Sequence, residues 1–252
     1  CTGLTSFPAL DLSSGTNFTS TWEGLTSLTS FPAVDVSSGT TFVETWKSCS
    51  QLTSFPALNL SRGTNFTETW RNCTALTSFP ALDLSRGTQF YNAWYGCTGL
   101  TSFPAATFST TTAFAIGNAW NGCTSLTSFP SDIDLSKATN CSATWHNTGI
   151  VSFPALDLSS STYFGWAFAA NSSMVSFGAC NMNAATTFES AWENATSLTT
   201  FPAGVFDDWN PASISANCFK EAWDDCNVLT EQSIENILLS ISASGVHATA
   251  DG

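Results

Sequence analysis

The sequence predicts an α/β repeat fold: a solenoid of about nine 24-residue coils, each made of a short parallel strand, a turn and a short helical segment, closed by a C-terminal amphipathic cap helix. Two observations predict it. The motif Leu-Thr-Ser-Phe-Pro and its variants restart at Leu4, Leu28, Leu52, Leu76, Leu100, Leu126, Ile150, Met174 and Leu198, mostly 24 residues apart. The last stretch abandons that pattern for apolar residues at Ile234, Ile237, Leu238 and Ile241, one face of a helix that Thr230 would cap. A repeat this short buries its apolar face only by stacking on its neighbours, so the chain reads as one rod roughly 45 Å long. Residues 1–228 are the coils, and residues 229–252 the cap helix and a tail that starts near Gly245.

Residues 52–75 show the expected elements in order. Leu52 and Phe55 open an extended segment that Pro56 cuts short, because proline has no N–H for an interior ladder. Leu58 and Leu60 alternate with Asn59, and the stretch from Ser61 through Gly63 to Thr64 reads as a turn whose glycine suits a positive φ. Phe66, Trp70 and Cys73 then fall at i, i+4 and i+7, the stripe of a short helix with Thr64 or Asn65 as N-cap. The fifth coil carries extra residues near Thr110 to Thr112 and the ninth near Asp207 to Ser213, which predicts flanking loops.

Function has to be read from columns of equivalent residues. Eight of the ten tryptophans share one column (Trp22, Trp46, Trp70, Trp94, Trp120, Trp145, Trp192, Trp223), and its remaining slot is Phe168, which marks core. The slot four residues earlier is mostly Phe and also reads as packing. Cys49, Cys73, Cys97, Cys123 and Cys226 share a column with Leu25, Thr148, Asn171 and Ala195, a mixture no disulfide framework would tolerate. The cysteines therefore read as small buried hydrophobes with free thiols, which suits folding in a reducing cytoplasm. With no Cys-x-x-Cys pair and only two separated histidines, His146 and His247, no metal site is expected.

Asp11, Asp35, Asn59, Asp83, Asp134, Asp157 and Asn181 form a column beside the turn. Because Asn keeps the side-chain oxygen and drops the charge, a bond to the turn backbone explains the column better than calcium does. The Thr and Ser columns that begin at Thr5 and Ser6 would give a hydroxyl-bearing face, where an ice-binding surface is the sharp reading and a solvated edge the plain one. Nineteen acidic against six basic side chains give a net charge of −13 with no basic cluster, which argues against nucleic acid or an anionic membrane. No apolar run is long enough to span a bilayer. No phosphate loop, nucleophile elbow or Ser-His-Asp set is present, so the chain does not read as an enzyme and needs no cofactor. The pairs Asp132 with Asp134, Asp207 with Asp208, and Asp224 with Asp225 are all that a polysaccharide-degrading enzyme could use.

Variability concentrates after the fixed aromatics. The slot after Trp holds Glu23, Lys47, Arg71, Tyr95, Asn121, His146, Ala169, Glu193 and Asp224, and the slots after Phe vary likewise. Fixed framework columns beside one varied face suit a recognition surface. The candidate ligand-binding residues are Tyr91, Tyr95, Tyr163, Trp166, Trp209, Lys47, Arg71 and His146.

The run Ala119-Trp120-Asn121-Gly122-Cys123-Thr124-Ser125-Leu126-Thr127-Ser128-Phe129 resembles the A-F-x-x-C-x-x-L-x-x-I core of BspA-like leucine-rich repeats, found in bacterial surface adhesins. Leu-Asp-Leu-Ser, a turn, an aromatic, and Gly-Cys before Leu-Thr-Ser look more like repeats in tail proteins of marine bacteriophages, as does Leu229-Thr230-Glu231-Gln232-Ser233-Ile234-Glu235-Asn236-Ile237-Leu238. Trp in place of the helical Phe, and Pro directly after the strand Phe, depart from that pattern. The resemblance implies a right-handed leucine-rich-repeat solenoid and a non-catalytic phage tail-fibre or adhesin segment, on a virion tail or extracellular surface, that binds a host cell-surface glycan or protein. It leaves room for a homotrimer in a parent fibre. Since Cys1-Thr2-Gly3-Leu4 matches Cys97-Thr98-Gly99-Leu100, the chain also reads as an excerpt of a longer protein with further repeats or domains. The competing reading is a structural spacer with no ligand.

Overall fold

The computed structural model describes residues 1–6, 8 and 10–245; the expected tail beyond Gly245, with His247, lies outside them. Among the described residues the chain forms one helix, α1 (Glu231–Ala243), and no strand. Successive coils meet instead at isolated parallel bridges, such as Ser30 with Ser54, Ser54 with Ser78, Thr41 with Asn65, and Asn65 with Gln89. The strand-built leucine-rich-repeat solenoid is therefore overturned, and with it the leucine-rich-repeat assignment; nothing in the fold supports the adhesin and phage-tail roles that the resemblance implied.

The physical reason lies in the backbone. In residues 66–73 the N–H groups of Phe66, Glu68, Trp70 and Asn72 donate to carbonyls of the next coil, at Gln89, Tyr91, Ala93 and Tyr95, over 2.7–2.8 Å. The N–H groups between them fold back three residues, Thr69 to Phe66, Arg71 to Glu68 and Cys73 to Trp70. Such a ribbon of turns needs left-handed residues, and Glu68 and Asn72 have φ of 56° and 60°. It still returns a side chain inward about every four residues, so it mimics the apolar spacing of a helix. Asn65 does cap its start, accepting from Thr67 N–H at 3.0 Å, but what it caps is a turn. On the opposite side Pro56 accepts from Leu58 N–H, a three-residue turn that stops any ladder beyond the bridge at Ser54.

Three aromatic columns fill the interior. Neighbouring rings in the Trp column lie 5.2–6.0 Å apart within 16° of parallel, from Trp22 through Phe168 to Trp223. The Phe of the repeat motif stands edge-on between successive indoles: Phe55 is 4.8 Å from Trp46 and 5.4 Å from Trp70. Pairs of this kind contribute about 0.5–1.5 kcal/mol each beyond area burial. They offset a real cost, because the indole N–H groups of Trp46, Trp70, Trp94, Trp120, Trp145 and Trp192 are buried with no hydrogen-bond partner. Gly63 is not at positive φ; a Cβ there would collide with the Phe66 ring, so the turn glycine exists to let that ring close under it.

The cysteines are free, and Cys1 alone of the nine is exposed. The buried column has a hydrogen-bonding role beyond packing. Each thiol donates to the carbonyl of the Trp one coil back: Cys49 to Trp22, Cys73 to Trp46, Cys97 to Trp70 and Cys123 to Trp94, at 3.1–3.2 Å. Burial pushes the Cys97 thiol up to about 12. The Asx column also takes part in the backbone: Asp11, Asp35, Asn59, Asp83, Asp134 and Asp157 each accept from the N–H two residues on.

Helix α1 crosses the end of the stack. Thr230 donates its N–H to Thr199, as an ordinary coil residue would, and its side chain then caps the helix through Ser233 N–H. Ser233 and Ser240 hydroxyls accept from Phe201 and Phe206 N–H, and the Asn236 amide donates to the Phe201 carbonyl. The face laid on the stack therefore centres on Ser233, Ile237 and Ser240; Ile234 and Leu238, expected to face inward, are exposed. No helix among the described residues is long and apolar enough to cross a membrane.

Candidate functional site

The ribbon of turns also builds the outer face, because its left-handed residues and the residues after Trp point away from the aromatic columns. Lys47, Arg71, Tyr95 and His146 occupy one ridge on successive or near-successive coils. Lys47 Nζ sits 2.6 Å from Glu44, 2.8 Å from Glu68 and 3.8 Å from Glu23. Arg71 pairs with Glu68 at 2.8 Å, and its guanidinium lies 4.9 Å from the Tyr95 ring centre. The hydrogen bond to Glu44, then that to Glu68, holds the Lys47 ammonium above its ordinary range. The same bond to Lys47 holds the Glu44 carboxyl below its own. These two cations are thus already neutralised within the chain.

Tyr91 lies against the next coil, its ring 3.0 Å from where a Cβ on Gly117 would be. His146 Nδ1 is 3.3 Å from Asn121 Oδ1, and burial holds the imidazole below its usual range against an opposing pull from Glu193. Trp209 is a correction to the sequence reading. It is 3% exposed, and its indole N–H donates to the Ala185 carbonyl at 2.7 Å, so this side chain turns inward while the inserted residues around it, Asp207, Asp208 and Asn210, stay exposed. The expected loop near Thr110 is exposed, tied by Ser109 Oγ accepting from Thr111 and Thr112 N–H.

Tyr163 and Trp166 differ from all of these. They are 42% and 41% exposed, and Trp166 has a φ of 56°, in the left-handed column otherwise held by Ser20, Glu44, Glu68, Asn92, Asn118, Ala143, Ser190 and Glu221. A bulky aromatic in that region costs about 1–3 kcal/mol and persists only where its surroundings hold it. Here its N–H is fixed to the Glu189 carbonyl at 3.0 Å, while Ala143 before it donates to the Gly165 carbonyl at 2.9 Å. Its column neighbours Ala143 and Ser190, together with Gly165, Ala169 and Ala170, are all small. Tyr163 bridges to Asn140 and Thr187 on either side, with its ring 3.2 Å from the Cβ position of Gly165. The strained backbone under Trp166 escapes a column count, although the Gly and Asn residues at 24, 72, 96, 122, 147 and 194 signal the second left-handed column.

The hydroxyl face is partly committed: Thr53, Thr77 and Thr101 donate to carbonyls of Thr29, Thr53 and Thr77 one coil back. Among the described residues no three His, Cys, Asp or Glu are placed to hold a metal ion. No protein-family model, curated protein or solved structure matches the chain.

Proposed function

We propose that the chain is a non-catalytic binding module for a cell-surface glycan, displayed outside the cell, and that Tyr163 and Trp166 form its platform. The observation that carries this reading is Trp166: an exposed indole held at a strained backbone position among small neighbours. An exposed, shallow aromatic surface suits the flat C–H face of a sugar ring more than a small cofactor that needs enclosure. Glu189 and Glu193 on the adjoining coil, in a chain of net charge −13, favour neutral or amino sugars over uronates and sialates.

The test is binding to an array of neutral, amino and acidic oligosaccharides. Neutral or amino glycans should bind, Trp166→Ala and Tyr163→Ala should each weaken them about tenfold, roughly 1.4 kcal/mol, and Arg71→Ala should leave them nearly unchanged. A folded chain that binds none of them would leave the spacer as the better account.

A further inference from the structure

One exposed face of the rod keeps its chemistry where the ribbon face does not. On five successive coils, from Thr26, Thr29 and Ser30 to Thr124, Thr127 and Ser128, the same three slots hold only Ser or Thr, all exposed except the half-buried Ser50. No acidic or basic residue stands in residues 26–34, 50–58, 74–82, 98–106 or 124–131. The slot after Trp on the same coils changes from Glu23 to Lys47, Arg71, Tyr95 and Asn121. In a continuous strand, adjacent side chains would point to opposite faces. Here the bridge at Ser54 is isolated, and Thr53 and Ser54 are both exposed.

The hydroxyls are ordered in rows. Thr53, Thr77, Thr101 and Thr127 each donate an N–H to the Thr carbonyl one coil back, and Ser30, Ser54 and Ser78 bridge in parallel, as do Ser102 and Ser128. The rows therefore repeat one coil apart, about 4.8 Å. The Thr53, Thr77 and Thr101 hydroxyls donate to those same carbonyls at 3.1–3.3 Å, and Thr74 donates to Ser50, so their rotamers are fixed and their oxygens remain open as acceptors. The Ser54, Ser78 and Ser102 hydroxyls make no bond among the described residues and are free to donate; the fold itself does not require serine there. The array ends at the seventh coil, where Thr148 is buried and Val151 replaces the Thr.

We propose that this hydroxyl face binds ice. Two O–H···O bonds of about 2.75 Å meeting at the tetrahedral angle place next-nearest oxygens of a water lattice about 4.5 Å apart, close to the spacing of the rows. A soluble ligand would engage one or two coils; a surface with a lattice of its own uses the same three hydroxyls on five in succession. Side chains already fixed lose little entropy when a water layer settles on them. The lack of charge fits too, because a strongly hydrated ammonium or carboxylate would hold water out of lattice positions. This face is separate from the Tyr163 and Trp166 platform, and neither reading depends on the other.

The test is thermal hysteresis, the gap between the melting and growth temperatures of a seed ice crystal, in a solution of the 252-residue chain. The gap should widen with protein concentration, a Ser54→Lys, Ser78→Lys double variant should lose most of it, and Trp166→Ala should keep all of it. Should the two lysines unfold the chain, Ser102→Tyr, a single ring on one coil, should narrow the gap while the unfolding midpoint holds. A folded, unaltered chain whose gap is no wider than that of an unrelated acidic protein overturns the proposal. A gap that survives the folded serine variants, or one that disappears with Trp166→Ala, places the activity elsewhere and overturns it as well.

Discussion

Residues 66–73 and residues 164–171 occupy equivalent places in the stack, yet they handle their inner and outer faces differently. In the first, Phe66, Trp70 and Cys73 face in, and Glu68 pairs with both Arg71 and Lys47 outside. In the second the inner residues become Phe164, Phe168 and Asn171, all buried; the outer ones become Trp166 and Ala170, and Ala169 in the slot of Arg71 is buried. Inside, the substitution preserves chemistry: Asn171 Nδ2 donates to the Trp145 carbonyl at 2.8 Å, as the thiol does elsewhere, and its Oδ1 accepts from the N–H and hydroxyl of Thr148. Outside, the paired charges are gone and an exposed indole stands instead. The interior slots are thus held mostly by a ring or a donor, with Leu25 and Ala195 as purely apolar exceptions in the donor slot, while the outer face varies freely.

The ring requirement gives the largest expected effect. Trp120→Ala should destabilise the chain by about 3–5 kcal/mol through the cavity it leaves. Trp120→Phe should cost only about 1–2 kcal/mol, since Phe168 already stacks 5.3 Å and 5.5 Å from its neighbours in the same column and the indole N–H makes no bond to lose. Urea unfolding checks both, and a Phe variant as damaged as the Ala variant would break the equivalence of the two coils.

The donor requirement comes next. Asn171→Leu fills the same space but orphans the Trp145 carbonyl together with the Thr148 N–H and hydroxyl, at a cost of about 3 kcal/mol. Asn171→Cys, restoring the residue of the other coils, should recover part of it in the same assay.

The charge pairing on the regular coils is worth least. Glu44 has a folded pKa held below its unfolded one by Lys47, so its contribution is full above the unfolded value and is lost as pH falls through the folded one. Lys47→Met should therefore flatten the acid limb of the stability curve below about pH 4.5, by no more than about 1 kcal/mol because the groups are partly exposed.

The period, the aromatic columns and the Asx bonds are legible in the sequence because each depends on one side chain repeated in place. The secondary structure is not, since the spacing of Phe66, Trp70 and Cys73 fits a helix and a ribbon of turns equally. What separates them is backbone sign, and the sequence carries a trace of it in Gly24, Asn72, Gly96, Gly122, Asn147 and Asn194, residue types that tolerate the left-handed region. The other left-handed column, with Glu44, Glu68 and Trp166, carries no such trace, and so the setting of the candidate site emerges only with the fold. The placement of Trp209 is illegible for a related reason: nothing in its inserted segment announces that its indole reaches the Ala185 carbonyl.

The most direct measurement compares Asn147→Gly with Asn147→Ala, at an exposed residue with a φ of 53°. A ribbon of turns predicts that the glycine variant is the more stable by about 1 kcal/mol, because only glycine adopts that backbone freely. A helix over the same residues predicts the reverse by a similar amount, and an alanine variant that proves the more stable would contradict the architecture described for every coil.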